Sequence, residues 1–158
     1  MIQAAVAGDV DTMKILLAGG CNLTEVGHIC LSRRRGNSVA SNVIGAAAYH
    51  GNRKMLHFLL GKVEPGCIDI KAIETADVGK ASTFKHEVQS FTPLQLALVS
   101  PKSHVDIVKL LFGKGDCNHQ ALEASTGNNI LHMAAKNCTP DSIAVLEYVV
   151  KNARLDIF

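Results

Sequence analysis

The sequence predicts an all-α solenoid built from stacked helix-turn-helix units. Three observations lead there. A six-residue Leu-rich pattern recurs four times, a pair or near-pair of small residues shortly precedes each copy, and the copies are separated by stretches rich in turn-forming residues. Recurrence of this kind marks a repeat array, in which each unit buries its apolar side only against its neighbours.

The Leu-rich pattern reads Thr12-Met-Lys-Ile-Leu-Leu17, Met55-Leu-His-Phe-Leu-Leu60, Ile107-Val-Lys-Leu-Leu-Phe112 and Val145-Leu-Glu-Tyr-Val-Val150. Its second, fourth, fifth and sixth places are apolar and its third is polar: Lys14, His57, Lys109 and Glu147. On a helix this sets one side in a core and leaves one polar position outside. The small pairs are Ala4-Ala5, Ala47-Ala48, Ala97-Leu98 and Ala134-Ala135. They let a second helix approach closely. Gly8-Asp9 and Gly51-Asn52 follow the first two pairs as tight turns, so each unit is helix, turn, helix. The first alanines lie 43, 50 and 37 residues apart, so the excess length sits in loops.

The third unit contains Phe91-Thr-Pro-Leu-Gln-Leu-Ala97 and the fourth Gly127-Asn-Asn-Ile-Leu-His-Met-Ala-Ala135. Thr92 or Asn129 suits an N-cap, and Pro93 suits the first turn of the helix behind it. These segments resemble the Gly-x-Thr-Pro-Leu-His-x-Ala-Ala signature of ankyrin repeats, whose period is about 33 residues. The resemblance covers nearly the whole chain apart from two long loops. It implies one ankyrin-repeat domain over 1–158, with repeats near 1–24, 40–66, 90–118 and 126–158. It implies that His132 hydrogen-bonds within and between repeats. Gln95 and Gly45 stand in place of that His in units three and two, which are expected to lack the bond. Departures occur at Pro101-Lys102, Cys138-Thr-Pro-Asp141 and Glu64-Pro65-Gly66.

The chain begins at the later part of a signature and ends in Arg154-Leu-Asp-Ile-Phe158. Solenoids carry polar caps, and Val149, Val150, Leu155, Ile157 and Phe158 do not make one. The expectation is a segment of a longer chain, or one completed by a neighbour in an oligomer.

The resemblance implies β-hairpin fingers in the connections. The loop at 21–41 has two extended runs about Gly36-Asn37 and a basic tip, Arg33-Arg34-Arg35. The loop at 64–90 alternates at Cys67-Ile-Asp-Ile70 and Thr83-Phe-Lys-His-Glu-Val88 about a turn at Asp77-Val-Gly-Lys80. Two elongated fingers are expected, with a disordered second loop as the alternative. The arginines admit three readings: a solvated tip, a docking patch for an acidic partner, or the recognition motif of a phosphosite at Ser38.

Composition excludes several function classes. Apolar residues are 47% of 158, enough for a core, and the net charge of +2 implies no polyanion partner. One arginine triplet without interleaved aromatics argues against nucleic-acid binding. No apolar run approaches the ~18 residues of a membrane span. Five cysteines, an odd number at wide spacing, fit a reduced cytoplasmic or nuclear setting rather than a disulfide scaffold. Neither Cys117-x-His119 nor His28-x-Cys30 has a second half at zinc spacing. Gly19-Gly20 reads as a helix stop rather than a phosphate loop. No catalytic residue, metal or cofactor is expected.

The leading function is therefore protein binding, as a scaffold in signalling or trafficking. The alternative is the regulatory or substrate-recruiting arm of an enzyme or channel lying outside this segment. The resemblance puts the partner on a concave face, in contact with the residues after each small pair: Val6-Ala7, Tyr49-His50, Val99-Ser100 and Lys136-Asn137. Ser41, Phe91 and Asn128, each preceding a cap position, also face it. Tyr49 and Phe91 would anchor the partner. The competing reading makes Phe91 the base of the second finger and Tyr49 a packing residue.

Overall fold

The computed structural model describes residues 1–23, 25–32, 37–63, 89–113, 120–123 and 126–153. These hold four helix pairs: α1 (Ile2–Ala7) with α2 (Val10–Ala18), α3 (Val43–Tyr49) with α4 (Arg53–Leu60), α5 (Pro93–Val99) with α6 (Val105–Gly113), and α7 (Ile130–Lys136) with α8 (Ser142–Asn152).

Local chemistry sets the helix starts. Each inner helix after the first has a polar N-cap accepting from the backbone three residues on: Asn42 from Gly45, Thr92 from Gln95, Asn129 from His132. Pro93 opens α5, where its missing N–H costs no helical bond. Asp9 caps α2 by accepting from the Thr12 amide at 3.0 Å and hydroxyl at 2.6 Å. Those bonds, the hydroxyl's foremost, hold its carboxyl below the ordinary carboxylate pKa. The turns after α1 and α3 pass through Gly8 and Gly51 at φ 74° and 75°, a left-handed conformation that glycine adopts without a Cβ clash.

The pairs stack in two rows. Helices α1, α3, α5 and α7 pack in sequence as an inner row, and α2, α4, α6 and α8 as an outer row. The Leu-rich segments lie on the outer helices, and the polar third place is exposed in all four. The sixth place faces the following unit: Leu60 is 2% exposed and Phe112 8%. The fourth place faces the preceding unit. This explains two departures from an all-buried stripe. Ile15, fourth in α2, is 73% exposed, and Val150, sixth in α8, is 60% exposed, because no described layer lies beyond either.

Three strands flank the stack: β1 (Gly27–Ser32), β2 (Asn37–Ser41) and β3 (Gln89–Ser90). β1 and β2 are antiparallel, and β2 also pairs in parallel with β3. Ile29 lies opposite Val39, and both are buried, whereas Cys30 and Ser38, also opposite each other, are exposed. This is the alternation a one-sided sheet requires. The strands of the first finger thus flank a tip, Arg33 to Gly36, that lies outside the described residues. So does nearly all of the second finger, residues 64–88.

The expectation that unit three lacks the His-type bond is overturned. Gln95 Oε1 accepts from the Thr92 amide at 2.9 Å, completing a capping box, and Gln95 Nε2 donates to Ala121 O at 3.3 Å. A carboxamide carries both an acceptor and a donor, so it makes the local and the reaching bond together. His132 makes the local bond, accepting from Asn129 N at 3.4 Å through Nδ1. In unit two, Gly45 has no side chain to contribute, and its neighbour supplies the reaching bond: Ser41 Oγ donates to Phe91 O at 3.2 Å. A Cβ on Gly45 would lie 2.1 Å from that Oγ and 2.8 Å from Leu96 Cδ1. Glycine is what lets α3, the Ser41 hydroxyl and α5 meet there.

Candidate partner-binding face

The inner row brings the ends of α1, α3, α5 and α7 to one side of the stack. Polar side chains fasten each of the first three ends to the next unit. Asn52 Nδ2 donates to Ala5 O at 2.7 Å and Val6 O at 2.8 Å. Ser100 Oγ donates to Tyr49 O and accepts from Lys102 N. Asn137 Nδ2 donates to Leu98 O at 2.5 Å and Ser100 O at 3.2 Å. These carbonyls sit in the last turns of their helices, where no further helical N–H reaches them. Two exposed ion pairs also cross units, Arg53–Asp106 at 2.8 Å and His104–Asp141 at 2.7 Å.

The residues named from sequence fall into three groups. Ser41 and Ser100 are fully buried, and Tyr49 and Phe91 are 8% and 5% exposed. Tyr49 donates its hydroxyl to Leu31 O at 2.8 Å and so pins the first finger onto α3. Burial, and secondarily the nearby Cys30, raises its pKa above that of an ordinary phenol. Phe91 receives the Ser41 bond at the base of the second finger and donates its own N–H to Ala40 O at 3.3 Å. For both aromatics the packing reading describes what is seen, and little of either ring is open to a partner in this state.

The second group remains accessible. His50, Val99, Asn128 and Asn137 are partly exposed, and Lys136 is exposed. His50 stacks edge-on to Tyr49 at 5.2 Å. Burial pushes its pKa below that of an ordinary histidine, and the charge of Lys102 adds to the effect. Lys102 is exposed beside it, its Cβ lying against the Gly51 turn. Sequence reasoning passed over Lys102. The signal was the Pro101-Lys102 departure, which the structure shows as the turn ending α5. The third group, Arg33, Arg34 and Arg35, lies outside the described residues, while Ser38 is exposed on β2.

Cys21, Cys30 and Cys138 are exposed free thiols. Among the described residues, no three His, Cys, Asp or Glu gather as metal ligands. No described helix is long and apolar enough to cross a membrane. The surface built here is thus a row of partly apolar and basic side chains on a pinned helical frame, suited to contact rather than to bond-making.

The family model described as "Ankyrin repeats (3 copies)" matches residues 1–158. No curated protein matches the chain significantly.

Proposed function

The chain belongs to the ankyrin-repeat family, and we propose that it is a non-catalytic scaffold that holds a partner protein or peptide along its inner face and fingers. Ankyrin repeats are in general protein–protein interaction modules. The observation that carries the reading is the inner row. Four helix ends, three of them fastened by Asn52, Ser100 and Asn137, hold a line of exposed side chains in fixed relation. A preordered surface loses little conformational entropy on binding.

The contact residues on this reading are His50, Val99, Lys102, Asn128, Lys136 and Asn137, with Arg33, Arg34 and Arg35 at the tip of the first of two elongated fingers. Lys102 and Lys136 select a partner carrying carboxylates. Tyr49 and Phe91 serve as supports for this surface rather than as its anchors. A phosphate on Ser38 would offset the arginines' charge and weaken an acidic partner's hold.

Affinity capture with the wild-type chain beside a Lys102→Glu, Lys136→Glu variant tests the face. Both lysines are exposed, so overlapping melting curves are expected, together with loss of acidic partners. Identical partner sets would remove the inner face from the proposal. An Arg33→Ala, Arg34→Ala, Arg35→Ala variant tests the tip in the same way.

A further inference from the structure

On the opposite, outer side of the stack the fourth and sixth places of neighbouring Leu-rich segments meet. By register, Leu17 of α2 meets Phe58 of α4, and Phe112 of α6 meets Tyr148 of α8. The latter two rings pack edge to face with centroids 5.5 Å apart. Between α4 and α6 the corresponding residues are Leu60 and Leu110, with no aromatic. A groove of about 300 Å³ lies at that junction, lined by His57, Leu60, Gly61, Lys109, Leu110 and Gly113. Its size is at the lower end of the range for binding clefts, ~300–1,000 Å³. It takes one or two large apolar side chains.

The two ends of the groove differ. At one, His57 and Lys109 are exposed, and neither has a carboxylate partner among the described residues. The nearby acid, Asp106, is already paired with Arg53 at 2.8 Å. At the other end, Gly61 and Gly113 close α4 and α6 without side chains, so helix-end carbonyls border the groove. Helix ends of this polarity favour donors, an effect confined to the last turn.

We propose that this outer groove is a second docking site, for a segment of another protein in which acidic residues precede one or two large apolar ones. The carboxylates pair with Lys109 and His57, the apolar side chains cover Leu60 and Leu110, and backbone N–H groups face the glycine end. Positive rim and apolar floor together select this occupant. A basic segment would be repelled at the rim, and a purely apolar one would leave the rim charges unused. The site is independent of the inner face.

The test is an amide-resolved NMR titration of the 158-residue chain with N-acetylated, C-amidated Glu-Glu-Leu-Phe, against Lys-Lys-Leu-Phe. Saturable shifts at the amides of Leu60, Gly61, Leu110 and Gly113 are expected, with the basic peptide roughly three- to five-fold weaker, as expected for exposed charges. Leu110→Phe puts in the groove the aromatic that α4 carries at the same place, and should abolish these shifts. No saturable response at these amides, equal response to both peptides, or undiminished binding by a natively folded Leu110→Phe protein overturns the proposal. Should that variant not fold, His57→Glu with Lys109→Glu must reverse the peptide preference, and failure to reverse it is equally fatal. Lys102→Glu and Lys136→Glu leave this binding unchanged, so the two faces succeed or fail separately.

Discussion

The carboxamide of Gln95 accepts from Thr92 N and donates to Ala121 O, so it caps its own helix and ties it to the approach of the next unit. Gln95→Leu keeps the volume roughly but leaves an amide and a carbonyl unsatisfied. Each such group costs about 1–3 kcal/mol when buried, and Gln95 is 2% exposed. Its urea midpoint should fall with an unchanged m-value. Gln95→His, which restores the family's residue, should fall less. Equal losses would mean that packing, not bonding, holds Gln95. His50 carries a pH prediction. Its folded pKa is depressed, first by burial and then by Lys102, so the unfolded chain binds the proton more readily. The contribution is fully present above the unfolded value of about 6.5 and is lost as pH falls from there towards the folded value. The difference in stability between wild type and His50→Gln should therefore shrink or change sign over that interval. A difference independent of pH would contradict the assignment. Taking the difference cancels other groups, such as the His104–Asp141 pair.

At the scale of the elements, the helix ends matter more than the helices. α1, α3, α5 and α7 are six or seven residues long, too short to persist alone. The fastenings from Asn52, Ser100 and Asn137 convert them into one row. Asn52→Ala removes two bonds to last-turn carbonyls and should cost about 1–3 kcal/mol. Asn137→Ala, acting two junctions away, should add to it. Marked non-additivity would show that the fastenings act as one network. These bonds show what could and could not be read from sequence. The Leu-rich stripes and the Thr92 and Asn129 caps were legible, because periodicity and capping act within one turn of chain. The Asn52 bonds span 46 and 47 residues, and the Ser100 bond spans 51. An asparagine beside a turn glycine reads only as a turn. Tyr49 and Phe91 were misplaced as anchors for the same reason. Their position after or before a helix implied the exposed face, while Leu31 O, Ala40 O and Ser41 Oγ, which hold them, come from a distant finger. Gln95 shows the limit of substituting family patterns: a missing histidine was read as a missing bond, although the amide has the same two capacities.

For the whole molecule, the two end layers decide how it meets its surroundings. Each interior outer helix hides its fourth place against the unit before and its sixth against the unit after. Ile15 shows the fourth place uncovered, at 73% exposure, and Val150 the sixth, at 60%, with Ile143 at 72% beside it. The two faces match in register the pairs that interior layers bury, so a copy's α8 face fits another copy's α2 face. That contact is heterologous and does not close on itself, so it propagates rather than stopping at a dimer. The same faces would accept neighbouring repeats of a longer chain. We expect the weight-average mass in sedimentation equilibrium to climb with concentration without levelling at twice the monomer. Val150→Lys with Ile143→Lys should hold the chain monomeric. Both side chains are exposed, so these changes should alter folding stability by no more than about 0.5 kcal/mol each. An Ile15→Lys chain mixed with the Val150→Lys, Ile143→Lys chain distinguishes the arrangement. Each retains one intact face, so the mixture should form a bounded heterodimer. Continued growth in the mixture would show that association uses another surface, and a wild-type chain monomeric at high concentration would show that these two end faces do not bind each other.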